Sequence, residues 1–102
     1  MFKLIISLFL KNKKLTRKQV IEQYAKGRRS FKKEDLSNLD LSFVKLSSAV
    51  KSRANLTGTN LYCSNLCGTN LYNANLSGAN MINAVLDYSS LDRTLRDGLY
   101  LC

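Results

Sequence analysis

The chain has 102 residues, enough for one domain with a modest core, and it carries a net charge of +9 with no His, Pro or Trp. Without His it lacks the usual general base, the commonest metal ligand and the usual partner of a nucleophilic Ser or Cys. Its three Cys are an odd number, which excludes a complete intrachain disulfide framework. Cys63 and Cys67 have neither the paired CxxC nor the His spacing of a zinc site, so they read as reduced thiols of a cytoplasmic protein.

The basic character is confined to the start of the chain. Residues 1–34 hold 11 Lys and Arg against Glu22 and Glu34, whereas residues 35–102 hold five of each sign. Such an arm suits an acidic partner, an anionic membrane surface or nucleic acid, or it simply aids solubility. Within residues 1–14 the apolar run is far short of the roughly 20 residues that span a bilayer. Lys11 follows that run directly with no small-residue cleavage site, unlike a signal peptide. As a helix, the segment would place Lys3, Ser7, Lys11 and Lys14 on one stripe and Phe2, Ile5, Ile6, Phe9 and Leu10 largely opposite, with Lys13 adding to the charge. This basic amphipathic arm fits a membrane interface, a partner's groove or the protein's own next helix.

Residues 15–30 should form a short helix and a lead-in turn. Thr16 and Gln19 have the spacing of a capping box, Leu15 and Val20 that of a hydrophobic staple, and Gly27 suits the position just past the end. The expected helix spans 17–26, with Val20, Ile21 and Tyr24 on one face, and it should cover the open end of whatever follows.

Residues 31–93 repeat with a period of five. Thirteen central positions run from Phe31 to Leu91, and ten of them are Leu where chance would place about two. Two residues before each centre, from Ala49 to Ser89, the residue is small. The residue just before is Asn in an unbroken run at Asn55, Asn60, Asn65, Asn70, Asn75 and Asn80. Gly and Asn dominate two residues after, where a tight turn wants φ > 0. A period of five fits neither helix nor plain strand, and requires a chain that turns after every repeat. Four sides then complete a square coil of twenty residues, with large and small residues inside and coils stacked about 4.8 Å apart. The Asn side chains are expected to bond turns and neighbouring coils as ladders.

The runs Ala54-Asn55-Leu56-Thr57-Gly58, Thr59-Asn60-Leu61, Thr69-Asn70-Leu71 and Ala74-Asn75-Leu76-Ser77-Gly78 resemble the A(D/N)LXX consensus of pentapeptide-repeat proteins. The lead-in from Ile21 to Phe31 resembles that of many cyanobacterial and other bacterial members. The resemblance implies an all-β solenoid: a right-handed quadrilateral β-helix, here of about three coils with an N-terminal helical cap. The departures are Lys51 at a centre, Val50 and Val85 just before one, and loss of the pattern after Leu91. A buried unpaired ammonium is costly, so a local bulge near 48–53 should turn Lys51 outward, with Val50 taking its place. Residues 94–102, with Leu95, Leu99, Tyr100 and Leu101, are expected to cover the last coil and to offer a surface for a homodimer or a bound partner.

Nothing in the chain assembles into a catalytic, metal-binding or cofactor-binding constellation, so function should lie on a surface. Residues twenty apart stack, which divides the outward positions among four walls. The first shows Lys32, Lys33, Ser52, Arg53, Tyr72, Asn73, Asp92 and Arg93; the second is small and bland. The third shows Phe43, Tyr62, Cys63 and Ile82 as a contiguous apolar patch, and the fourth shows Cys67, Asp87 and Tyr88. An exposed apolar patch on a rigid wall marks a binding site for another protein, unless the N-terminal arm covers Phe43. The expected role is a non-catalytic scaffold or adaptor, cytoplasmic and peripheral to a membrane through its arm; the alternative is nucleic-acid binding through that arm. Family members that mimic DNA and bind DNA gyrase carry a negative surface, whereas residues 35–102 here are neutral overall and the whole chain is +9, which argues against that role.

Overall fold

The computed structural model describes residues 14–98. Its one helix among these, α1, spans Arg17–Ala25. Thr16 is the N-cap: its hydroxyl accepts from the Gln19 N–H, and its own N–H donates to Gln19 Oε1 at 2.9 Å. At the other end, the Gly27 N–H reaches the Tyr24 carbonyl and the Arg28 N–H reaches that of Gln23, the Schellman pattern, with Gly27 at φ +106. The helix stops one residue short of the expected span because Lys26 is the C-cap.

From residue 30 onward the chain returns over itself every twenty residues. Ten parallel bridges join Ser30 to Val50, Asp35 to Asn55 and so on to Asn75 with Leu95, all at that one offset. Each side is a turn and not a long strand. The N–H three residues after a centre donates back to the central carbonyl, as Ala54 does to Lys51 at 3.0 Å, and the second of the two residues between them has positive φ at every repeat from Lys33 to Gly98. A single positive φ at the third turn residue is the type II pattern. Three bonds per side hold successive coils, for example Leu56 N–H to Asn75 O, Gly58 N–H to Ser77 O and Asn75 N–H to Ala54 O, at 2.8–3.0 Å.

The interior follows from this geometry. The central residues from Phe31 to Met81 are buried, as are Ala49, Ala54, Thr59, Ser64, Thr69, Ala74 and Ala79 between them. Thr59 and Thr69 donate their hydroxyls to Leu36 O and Leu46 O, one coil back; the Ser64 hydroxyl is buried with no partner among the described residues. The Asn side chains act mainly within their own repeat. Asn55 Oδ1 accepts from the N–H of Thr57, and Asn60, Asn65, Asn70, Asn75 and Asn80 repeat the arrangement. Between coils, only Asn60 Nδ2 to Asp40 Oδ1 is seen among the described residues, at 3.5 Å, so the expected ladder is mostly a set of side-chain turns. Asp35 and Asp40 play the same part with Ser37 and Ser42, whose hydroxyl and backbone N–H groups hold both carboxyls below the usual carboxylate range.

The expectation for Lys51 is overturned. Lys51 is fully buried at its central position, and the coil there is unbroken: Lys51 N–H reaches Asn70 O at 2.8 Å and Arg53 N–H reaches Tyr72 O at 2.9 Å. Val50 does not replace it, but bridges Ser30 below and Asn70 above. A bulge would forfeit inter-coil bonds on both sides of the residue. Keeping the register instead leaves the Lys51 amine without a hydrogen-bond partner, 5.3 Å from the centroid of the Phe31 ring, and burial pulls its pKa down from 10.5 to about 7. Above pH 7 the buried group is then mostly a neutral amine, which costs about 1–3 kcal/mol unpaired, plus about 1.4 kcal/mol for each pH unit below 10.5 at which the proton must be removed.

The edge of the first coil has no earlier coil to donate to its carbonyls. Side chains from α1 and its flanks donate instead. Lys14 reaches Ser37 O, Arg17 reaches Asp40 O and Ser42 O, Tyr24 OH reaches Ser47 O at 2.8 Å, and Arg28 Nε reaches Ser30 O at 2.7 Å. Val20 is buried against the core and Leu15 and Tyr24 pack beside it. Arg28 also pairs with Glu34 at 3.0 Å. At the other end the coil persists beyond the fading of the sequence pattern: Leu95 still bridges Asn75, and Gly78 N–H reaches Asp97 O at 2.8 Å. The expected boundary at 93 is therefore not a boundary of the coil. Residues 99–102, part of the expected end segment, lie outside the described residues.

Candidate functional site

The register puts Phe43 and Tyr62 on neighbouring turns of the third wall. Their rings meet edge to face, with centroids 5.6 Å apart and planes at 78°. Phe43 is 70% exposed and Tyr62 37%. Cys63 and Ile82, on the same wall, are half-buried. Phe43 also holds φ +61, a backbone region that Gly and Asn occupy at lower cost than a bulky aromatic. A ring kept at a strained, solvent-facing turn contributes little to the core and a good deal to the surface.

Beside Phe43, α1 and the coil enclose a pocket of about 370 Å³ lined by Arg17, Ile21, Tyr24, Ala25, Phe43, Val44 and Lys45. Its apolar floor continues the patch onto the helix, where Ile21 is 39% exposed. Sequence reasoning places Ile21 in the helix's inward stripe and does not join it to Phe43. The signal is present: Val20 and Ile21 are adjacent, so a helix that buries one turns the other aside by about 100°.

Of the arm residues expected to meet a membrane or acidic partner, Lys14 alone is described, and its ammonium is engaged with the Ser37 carbonyl and hydroxyl. Phe2, Lys3, Ile5, Ile6, Phe9, Lys11 and Lys13 lie outside the described residues. Among the described residues no helix is long and apolar enough to cross a membrane, and no three His, Cys, Asp or Glu side chains cluster to hold a metal ion.

The geometry defines a repeat protein with five residues to a side and twenty to a coil. The family model for pentapeptide repeats matches eight copies over residues 35–71, 52–87 and 68–94, well over half of the chain. The chain belongs to the pentapeptide-repeat family, whose members are typically not enzymes. Solved structures similar to it include the pentapeptide repeat protein Rfr23 of the cyanobacterium Cyanothece 51142, at 31% identity over 72% of this chain and 56% of that one, with a TM-score of 0.45. A pentapeptide repeat protein of the Arabidopsis thaliana thylakoid lumen matches at 21% identity over 74% and 56%, with a TM-score of 0.49. HetL of Nostoc sp. strain PCC 7120, involved in heterocyst differentiation regulation, matches at 28% identity over 70% and 35%, with a TM-score of 0.36. The chain thus spans about half the length of the first two and a third of the last. No curated protein matches it.

Proposed function

We propose that this chain is a rigid, non-catalytic scaffold that presents its third wall to another protein. On this reading it is a right-handed quadrilateral β-helix, α1 caps its first coil, and the C-terminal coil is available for a homodimer. The observation that carries the reading is Phe43: a largely exposed ring at positive φ, seated edge to face on Tyr62 and continuous with the pocket beside α1. A wall fixed by three inter-coil bonds per side loses little freedom on binding, so a modest patch can suffice. Phe43 and Tyr62 act as the aromatic anchors, with Ile82 and Cys63 along the wall and Ile21 at its margin. The N-terminal arm, residues 1–14, adds a peripheral contact with an anionic membrane surface in the cytoplasm.

The test is capture of partners with wild-type bait and with Phe43→Ala/Tyr62→Ala bait. Each truncation should weaken binding by about 1–3 kcal/mol. Folding stability should change by no more than about 0.5 kcal/mol, since both rings face outward. Thr57→Ala with Ser77→Ala on the second wall should affect neither. Partners that stay bound to the double variant would refute the reading.

A further inference from the structure

The turn positions of the coils hold four Lys and Arg side chains, and all four lie on one wall. Lys32, Lys33, Arg53 and Arg93 share the first wall; no other wall has a base at a turn position between residues 32 and 98. The sides follow one another in fixed order around the square, so this wall is opposite the one that carries Phe43. Lys33, Arg53 and Arg93 each occupy the positive-φ position, at φ +61, +60 and +57, where Asn or Gly would strain the backbone less. All four bases are exposed, and none forms an ion pair with a described residue. Between Arg53 and Arg93 lies Tyr72, half-buried, with the Arg93 guanidinium 5.9 Å from its ring centroid. One carboxylate, Asp92, stands at the far end of the row.

We infer that this wall binds the backbone of a single-stranded nucleic acid, laid along the stacking axis of the coils. The surface is separate from the apolar wall, and its role is independent of the protein-binding reading. Three arguments select this ligand. First, the charges are in single file. Lys33 and Arg53 are one coil apart and Arg93 is two coils further, a row of about 14 Å at the usual inter-strand spacing. A row of this kind follows a linear polyanion. Second, a lipid surface would draw on exposed aliphatic side chains beside the charges. This wall has none, and its two neighbouring walls carry Asp87 and Asp97 instead. Third, two of the bases are Arg, which can grip phosphate with two parallel hydrogen bonds, and Tyr72 offers a ring on which a base can stack. A flat wall offers no helix or ribbon to enter the major groove of a duplex, which favours an open strand.

The experiment measures binding of the full chain to a fluorescein-labelled oligothymidylate over a range of salt concentrations. The wall variant is Lys33→Asn/Arg53→Asn/Arg93→Asn. Asn already stands at the equivalent positive-φ positions 38, 73 and 83, so these changes suit the backbone. A second variant, Lys18→Gln/Lys26→Asn/Arg96→Gln, removes the same charge away from the row. The wall variant should bind roughly tenfold more weakly or worse, and the slope of log K against log salt should fall by about 2, near 0.7 for each phosphate no longer neutralised. The second variant should keep both values close to wild type. Tyr72→Leu should weaken binding roughly fivefold or more while leaving the salt slope in place. Equal losses in the two triple variants would overturn the inference, as would wild-type protein that fails to bind at low salt. So would vesicles of phosphatidylserine and phosphatidylcholine that bind through the same residues while the oligonucleotide does not.

Discussion

Two columns of the interior have the same backbone and different contents. One stacks Leu41, Leu61 and Met81; the other stacks Phe31, Lys51 and Leu71. The hydrogen bonds are alike, since Leu61 N–H reaches Asn80 O at 2.7 Å and Lys51 N–H reaches Asn70 O at 2.8 Å. The fold therefore places a side chain inside by position and not by polarity. Inter-coil bonds on both faces of the side that holds Lys51 make the register stiffer than the penalty of one misplaced amine. The comparison also shows how the second column accommodates the intruder. Phe31 sits below it with its ring centroid 5.3 Å from the amine, and the guanidinium of Arg28 lies 4.4 Å from the same centroid, a second positive charge that also favours the neutral form of Lys51.

The sharpest way to test the contrast is to damage the apolar column. Leu61→Ala should destabilise the chain by about 2–5 kcal/mol, because the coils above and below cannot close the cavity without breaking register. Chemical denaturation would measure it, and a loss no larger than that of a surface change would contradict the register. The other column should respond in the opposite sense: Lys51→Leu removes an unpartnered amine and the need to deprotonate it on folding, and should raise stability by roughly 4–5 kcal/mol near neutral pH.

The same residue predicts a pH dependence with a definite sign. Its folded pKa is about 7 and its ordinary value 10.5, so between these the unfolded chain holds a proton that the folded chain does not. Stability should rise with pH across that window, by about 1.4 kcal/mol per unit at most, and be lowest below pH 7, where folding must bury a cation. Denaturation curves of wild type and Lys51→Leu should converge as pH rises toward 10.5. Parallel curves would show that the amine reaches water.

Smaller effects separate the buried hydroxyls. Thr59→Val removes a hydrogen bond to the Leu36 carbonyl and should cost about 1 kcal/mol. Ser64→Ala, at the equivalent inward position one side later, removes a hydroxyl with no described partner and should be neutral or slightly stabilising. Equal losses from the two would mean that Ser64 has a partner, such as an ordered water.

The five-residue period is legible because it is written in side-chain volume: Leu at the centres, small residues two before, Asn, Gly or Asp where the turn needs them. The start of α1 is legible for the same local reason, since Thr16 and Gln19 satisfy each other's backbone. What escapes is non-local. The cost of burying Lys51 can be read from its chemistry, but not the stiffness of the coil that overrides it. The pocket beside Phe43 depends on where α1 sits on the first coil, which is fixed by the bonds of Lys14, Arg17 and Tyr24 to carbonyls some 23 to 25 residues away. No sequence period marks those three residues. The row of bases on the first wall can be written out residue by residue, yet it gains meaning only with the observed offset of twenty and the absence of ion pairs to described residues.

That offset also dictates how the molecule can change length. An inserted segment that is not a multiple of five throws every later turn out of phase with its positive-φ residue. An insertion of five keeps Leu inside and turns everything downstream by a quarter revolution. Placed just after residue 70, it would carry Arg93 from the wall of bases to the bland second wall, and Ile82 away from Phe43 and Tyr62, while the central positions now held by Leu71 to Leu91 still received apolar side chains. Only twenty residues at a time lengthen the molecule without rewriting its faces. A lineage of such proteins can therefore shuffle its surface by indels of five while the core remains indifferent, and preserving a two-walled adaptor demands growth by whole coils.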